Sequence, residues 1–337
     1  MVSGEDLTVI AAGDDSVLPF QLDALNIRGR VARLDGVLDK ILRQRDYPPR
    51  VAALIGEAIL LTTLIGSGMK LRGRVSMQCR GKGAVSLIAT DYFAPTDDKP
   101  AARIRGYAHY NNEAEMPKTS DAPAALLGEA MIGLIIDQGG GVHPYQGMTP
   151  ASEKRLSEGG LSAGAETYFA QSEQIATRFR SVVGLAEGAS GGAQWRGGGV
   201  MIQHLGSPGE GADPPDVPSG DGGLMRADDI AEMNNIKDDW CHASVLLDTV
   251  EEIELIGPHV TPEQLLFRLF HEVTPRVYPP SAIEFGCTCS REKVQAVLEN
   301  YSAETLADMV DDSGEIIAAC QFCSEKYVFD PALTAAH

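Results

Sequence analysis

Cys287-Thr-Cys289 and Cys320-Gln-Phe-Cys323 gather four of the chain's six cysteines into 37 residues. Thiolate sulfur is a nucleophile, a target for oxidants and a metal ligand. Zinc takes four such sulfurs at tetrahedral corners about 2.3 Å away. Cys-x-x-Cys is the usual zinc-knuckle spacing, and Cys-x-Cys is tighter but still places both sulfurs on one metal. A lone Cys-x-x-Cys also suits a thioredoxin-like redox pair, yet no βαβ pattern surrounds Cys320. Two pairs 30 residues apart, in a chain otherwise poor in cysteine, point to one zinc with ligands Cys287, Cys289, Cys320 and Cys323. Cys79 and Cys241 stand alone, as inert thiols or as extra oxidation targets.

Charge narrows what such a centre serves. Ten acidic residues face three basic ones (Arg291, Lys293 and Lys326) between Ser281 and Asp330, a sign that repels DNA and RNA. The whole chain agrees, with 28 Lys and Arg against 47 Asp and Glu and a formal charge of −19. The terminal stretch holds few large apolar side chains, and modules this small often need a metal to fold. Oxidation to disulfides makes a much poorer ligand, so a thiol switch is chemically available. A purely structural zinc remains the alternative at this point.

The elements that must position the cysteines are readable in part. Residues 18–34 have a β-type pattern. Asp35–Arg43 sets Val37, Leu38, Ile41 and Leu42 on one helical face, and Tyr47-Pro48-Pro49 ends that helix. Arg50–Gly66 reads as a second, buried helix. Strand-like runs follow at Leu71–Cys79, Ala84–Tyr92, Ala101–His109 and Met131–Asp137, with loops at 110–128 and 138–150. Ala163–Gln174 is expected as a helix, Arg178–Leu185 as a strand, and Gly199–His204 as a strand after a glycine-rich turn. Gly206–Gly223, with six Gly, four Pro, four acids and no Lys or Arg, reads as a flexible linker. Beyond it Ala227–Ile256 is helical in pattern. Thr261-Pro262-Glu263-Gln264 forms a capping box opening another helix, with Leu265, Leu266, Leu269 and Phe270 on its face. These middle helices suit either ordinary packing on a neighbouring domain or a conditionally exposed binding surface.

The expected architecture is therefore α+β: a mixed sheet-and-helix domain over 1–205, a linker at 206–223, a helical middle region at 224–280 and a zinc-binding domain at 281–337. The opening Met1-Val-Ser-Gly-Glu-Asp-Leu7 lacks the pattern of a secretory signal. The apolar run from Val51 to Gly66 carries Glu57, Thr62 and Thr63 and is too short to span a bilayer. A cytoplasmic location, with neither membrane nor nucleic acid as partner, is the expectation.

Glu284-Phe-Gly-Cys287-Thr-Cys289-Ser-Arg-Glu292 with Cys320-Gln-Phe-Cys323 resembles the redox-regulated 33-kDa heat-shock chaperones of bacteria. Arg28-Gly29, Tyr47-Pro48, Ser172-Glu-Gln174 and Leu269-Phe-His-Glu272 extend the likeness over nearly the whole chain. The resemblance implies a non-enzymatic holdase that binds unfolding or aggregation-prone clients. It implies weak activity while reduced and zinc-bound, and activation by oxidants through zinc release and disulfides pairing Cys287 with Cys289 and Cys320 with Cys323. It also implies a homodimer formed through the N-terminal domain when active. The chain departs from the family pattern in longer segments at 93–100, 111–125 and 206–223, and in Gly83-Ala84 where the family has Gly-Pro. A constitutive interaction or scaffold protein with a structural four-cysteine zinc module is the rival.

Other motifs carry less. Gly81-Lys-Gly83 lacks the spacing of a phosphate-binding loop. Cys241-His242 are neighbours on a helix and point apart, and the remaining histidines form no ligand spacing.

Overall fold

A computed structural model describes residues 13–114, 122–187, 192–206 and 227–331, with side chains in the last stretch from Asp238 onward. The linker expected at 206–223 falls outside these residues apart from Gly206. In chain order the elements are β1 (Ser16–Leu22), β2 (Ile27–Leu34), α1 (Gly36–Leu42), α2 (Pro49–Gly68), β3 (Arg74–Gly81), β4 (Val85–Phe93), β5 (Ala102–Tyr110), β6 (Ala130–Asp137), β7 (Tyr145–Ala151), α3 (Glu153–Tyr168), β8 (Thr177–Glu187) and β9 (Ala193–His204). The middle region supplies α4 (Ala227–Asp248), α5 (Glu252–Ile256) and α6 (Pro262–Phe270). Then come β10 (Arg276–Val277), β11 (Ser281–Phe285), α7 (Arg291–Leu298), α8 (Ala303–Asp308), β12 (Ile316–Ala319) and β13 (Lys326–Phe329). The fold is α+β, with a mixed N-terminal sheet, a helical middle and a C-terminal cysteine cluster.

Among the described residues one large sheet runs β7-β6-β3-β4-β5-β11-β1-β2-β9-β8, with β10 also paired to β1. The two halves of this sheet meet only through β11 along that path. It pairs antiparallel with β1 (Ser16 opposite Ala282) and parallel with β5 (Ile283 opposite Ala102, Phe285 opposite Ile104). Residues 281–285, the first of the expected terminal module, are therefore part of the large sheet.

Helix α2 lies against strands of both halves and forms the centre of the main core. Pro49 opens it at a position where a missing N–H costs nothing. It runs to 20 residues, and its most apolar 18 have a mean hydropathy of 1.7, enough by length and composition to cross a bilayer, which corrects the length argument drawn from the shorter run. Here 78% of its most apolar stretch is buried inside the fold. Its polar groups are satisfied internally: Thr62 and Thr63 donate to the carbonyls of Ala58 and Ile59 one turn back.

The β1–β2–β9 half is apolar on both faces. Val17, Leu34 and Met201 point to the α2 side, while Leu18, Phe20, Leu22, Ile27, Val31, Val200 and Ile202 point the other way. Leu247, Val250, Leu255, Leu265, Leu266, Leu269 and Phe270 from the middle helices cover that second face. Sheets buried on both sides tend toward continuous apolar runs, as β1 does, whereas β2 is interrupted by Arg28, Arg30 and Arg33. The capping box expected at Thr261 is present, with Thr261 and Gln264 exchanging backbone-to-side-chain hydrogen bonds at 3.2 and 2.9 Å.

Four further readings need correction. Tyr145–Ala151, expected as loop, is an edge strand on β6 with only Thr149 and Ala151 buried, so it shows little apolar alternation and tolerates Pro150. Helix α3 begins at Glu153, ten residues earlier than expected, because it restarts at Gly160 (φ 64°) across a kink. The continuous helix expected over 227–256 is broken at 249–251. The glycine-rich turn before Gly199 is strand from Ala193 onward, and its first residues, 188–191, lie outside the described residues. A Cβ on Gly198 would collide with the Leu255 carbonyl, so the glycine admits the α5 backbone.

Candidate metal centre

Strand β11 delivers the first cysteine pair. The ladder with β5 continues as Gly286 donates to the Ile104 carbonyl at 3.2 Å, and the chain then leaves the sheet at Cys287. Ser290 caps α7 immediately after Cys289, accepting from the Lys293 N–H at 3.3 Å. The second pair sits in the loop of the β12–β13 hairpin, where Ala319 opposes Lys326. That loop closes as Ser324 N–H donates to Cys320 O and Cys320 N–H to Glu325 O, both at 2.9 Å. Ser324 takes φ 59°, so the turn holds a non-glycine residue in the left-handed region.

These two loops bring Cys287, Cys289, Cys320 and Cys323 together, with all four sulfurs within 4.8 Å of one another. Cys287 Sγ lies 3.7 Å from Cys320 Sγ, and Cys289 Sγ lies 3.4 Å from Cys323 Sγ. A tetrahedral zinc with 2.3 Å bonds would set its sulfurs about 3.8 Å apart, so the donor set fits. Electrostatics agree. Burial pushes the Cys287 thiol up, but the Cys289 N–H, the neighbouring sulfurs and Arg105 outweigh it and hold it down to about 7. Burial pushes Cys289 and Cys323 up instead. Four sulfurs this close ionise together only around a cation.

Side chains outside the cysteine motifs complete the centre. Tyr327 donates its hydroxyl to Cys289 Sγ at 3.2 Å, and Arg105 Nη1 donates to Cys287 Sγ at 3.5 Å. Such outer donors orient sulfur ligands and soften their charge. The core behind them is small: Leu298, Leu306, Ile316 and Phe329 are its buried members.

The two remaining cysteines differ sharply. Cys79 on β3 is 0% exposed, and burial pushes its thiol up to about 12, whereas Cys241 is exposed. Iodoacetamide should label Cys241 in the native protein and leave Cys79 untouched until denaturant is added. Peptide mapping that finds Cys79 labelled at the native rate would contradict its burial.

The family described as Hsp33 protein matches residues 15–330. The chain belongs to the Hsp33 family. The 33 kDa chaperonin of Caulobacter vibrioides is 36% identical over 323 residues, covering 94% of this chain and 95% of that protein. That of Neisseria meningitidis serogroup B is 30% identical over 311 residues, covering 92% and 87%. The crystal structure of the 33 kDa chaperonin from Thermotoga maritima matches with a TM-score of 0.70 over 95% of this chain and 96% of that one. At 19% identity this last likeness speaks for the Hsp33 fold alone.

Arg105 and Tyr327 gave no signal in the Hsp33 sequence, since a basic residue in a strand and a tyrosine in a hairpin have many uses. A polar cavity of about 430 Å³ between α2, α3 and β8 is equally silent in sequence. Within it Glu57 accepts from Ser162 N–H at 3.1 Å and Ser162 Oγ at 3.2 Å, capping α3 where it restarts after Gly160. Its carboxylate, pushed up by burial, is thus occupied with holding a helix.

Proposed function

We propose that the chain is a redox-regulated holdase, with Cys287, Cys289, Cys320 and Cys323 as both zinc ligands and switch. The observation that carries this reading is the gathering of four sulfurs within 4.8 Å by a module with four buried apolar side chains of its own. Zinc, when bound, supplies no redox chemistry; it keeps four thiolates deprotonated, close and folded around. The membership in a family of 33 kDa chaperonins supports the chaperone half of the reading.

The thiolates themselves do the chemistry. Each disulfide forms one S–S bond and gives up two electrons, and a hypochlorous acid molecule takes them to become chloride and water. Two equivalents convert all four cysteines. We assign the pairs Cys287–Cys289 and Cys320–Cys323; the reduced-state approaches of 3.7 and 3.4 Å are the rival cross-pairs, so peptide mapping of the oxidised protein is required. Once the sulfurs are withdrawn, the terminal module unfolds and the middle helices loosen. The second face of the sheet, with Leu18, Phe20, Val200 and Ile202, then becomes the surface that holds unfolding clients in the cytoplasm. The active form is a homodimer through the N-terminal domain.

The test is suppression of citrate synthase aggregation, followed by light scattering, alongside zinc per chain before and after hypochlorous acid. Reduced protein should carry one zinc and suppress little; oxidised protein should carry none and suppress at near-stoichiometric ratios. Equal suppression in both states would leave a constitutive binding protein with a structural centre.

A further inference from the structure

Arg105 projects from β5, on the N-terminal side of the fold, with its side chain 9% exposed. Its Nε and Nη2 hold Asp91 of β4 at 2.7 and 2.6 Å, and Asp91, 7% exposed, also accepts from Ser76 Oγ. The rest of the guanidinium is turned to the cysteine centre. Nη1 donates to Cys287 Sγ at 3.5 Å and to Thr288 Oγ1 at 3.1 Å in the first cysteine loop. Its carbon lies 3.8 Å from the ring centroid of Phe322, the residue inside the second cysteine pair. Phe322 in turn meets Tyr107 of β5 edge-on, with centroids 4.8 Å apart and planes at 82°. A single side chain thus touches both halves of the centre while its other edge is fixed in the sheet.

From this geometry we infer that Arg105 is a positioning residue that latches the terminal module onto the large sheet only while the four sulfurs are gathered. The inference rests on the function proposed above and adds how the state of the centre reaches the rest of the fold. The two loops present Cys287, Thr288 and Phe322 to one guanidinium because the cysteines hold them face to face. When the loops part, Arg105 keeps Asp91 and loses every partner in the module. The shape of the group matters. A planar fork donates along two edges and stacks through its face at the same moment, whereas an ammonium offers one point of charge without the fork or the flat face. The latch also lies where it has most purchase. Phe285 pairs with Ile104, so Arg105 stands next in register beside the point where β11 ends, and β11 is the strand between the two halves of the sheet. Beyond the β11 ladder, the module also meets this side at its edge, where Arg45 Nη2 donates to Gln321 O at 3.0 Å and Ser324 Oγ to Gln44 O at 3.3 Å.

Two variants separate latching from folding. Arg105→Lys keeps a cation beside Asp91 and removes the fork and the stacked face. Phe322→Leu leaves the Arg105–Asp91 pair intact and removes the ring. In full-length, reduced protein three quantities are read: zinc per chain, the melting temperature of the sheet by circular dichroism, and hydrogen exchange in peptides spanning residues 276–290 and 320–331. Expected in both variants, with zinc in excess, are one zinc per chain (held about 10- to 100-fold less tightly by Arg105→Lys, which loses its hydrogen bond to Cys287), an unchanged melt, and exchange in those peptides faster on the order of tenfold, the loss of one stacked cation contact. Unchanged exchange in both variants overturns the latch. Loss of zinc from Phe322→Leu as well as from Arg105→Lys also overturns it, because Phe322 donates to no sulfur and its ring contact would then be building the centre rather than reporting on it. Wild-type protein without zinc would defeat the function proposed above instead, and the comparison of Phe322→Leu with wild type would still decide the latch, since thiols gathered without a metal would still present the ring to Arg105.

Discussion

Cys320→Ser is expected to lose its zinc during chelator dialysis that leaves wild type with one per chain. Substituting the groups that hydrogen-bond a metal's ligands commonly costs 10- to 100-fold in affinity, and removal of a ligand itself should exceed about 100-fold. Serine offers a neutral, hard oxygen in place of a thiolate, and three sulfurs leave the tetrahedron open. Structural zinc contributes about 10–16 kcal/mol to the folding of small modules. Four buried apolar side chains are a small reserve to set against its loss. Under reducing conditions trypsin should therefore cut the variant at Arg291, Lys293 and Lys326, which wild type holds in α7 and β13. The sheet should melt as before. Zinc content and digestion indistinguishable from wild type would remove Cys320 from the ligand set.

Arg196→Met is expected to destabilise the N-terminal domain by about 3–5 kcal/mol, the usual cost of stripping one partner from a buried ion pair. Arg196 is 0% exposed. Its Nη1 holds Asp35 at 2.5 Å, its Nη2 holds Asp14 at 2.9 Å, and its Nε donates to the Ile256 carbonyl at 3.2 Å. Arg33 grips the same helix end, donating to the carbonyls of Leu255 at 3.1 Å and Glu254 at 2.9 Å. The variant should therefore also loosen α5 and bind a hydrophobic dye without oxidant. Its pH dependence has a definite sign. Burial already pushes the Asp35 carboxyl up while Arg196 pulls it down. Without the guanidinium its folded value rises further above the unfolded one. The share of the deficit due to Asp35 should vanish below the unfolded pKa, where both states are protonated, and widen as pH rises from there toward neutrality, while the share from the lost Ile256 hydrogen bond stays. A urea midpoint within about 0.5 kcal/mol of wild type at pH 7 would deny the arginine this role.

What could be read in the chain beforehand was what local pattern encodes. The apolar run of α2, the Thr261 capping box and the strands β3 to β5 announce themselves because spacing and residue type are enough. The four cysteines do so because few other uses explain two pairs in 37 residues. The rest depends on partners far away in sequence. Strand β7 is half exposed on an edge, and without burial there is no alternation to find. The glycines before Gly199 look like a turn until Leu255 occupies the space they leave. Arg105 becomes informative only beside Asp91, Cys287 and Phe322, residues brought together by β4, β11 and a hairpin loop.

The place of β11 also bears on how the protein is born. A ribosome delivers the chain from its N-terminus at about 5–20 residues per second. Strands β1 and β5 therefore emerge long before Ser281–Phe285, the segment that fills the gap between them. Until then the nascent polypeptide carries two open strand edges, the kind of surface that invites pairing with other chains. A protein read here as a guardian against aggregation is itself exposed to that hazard for most of its synthesis.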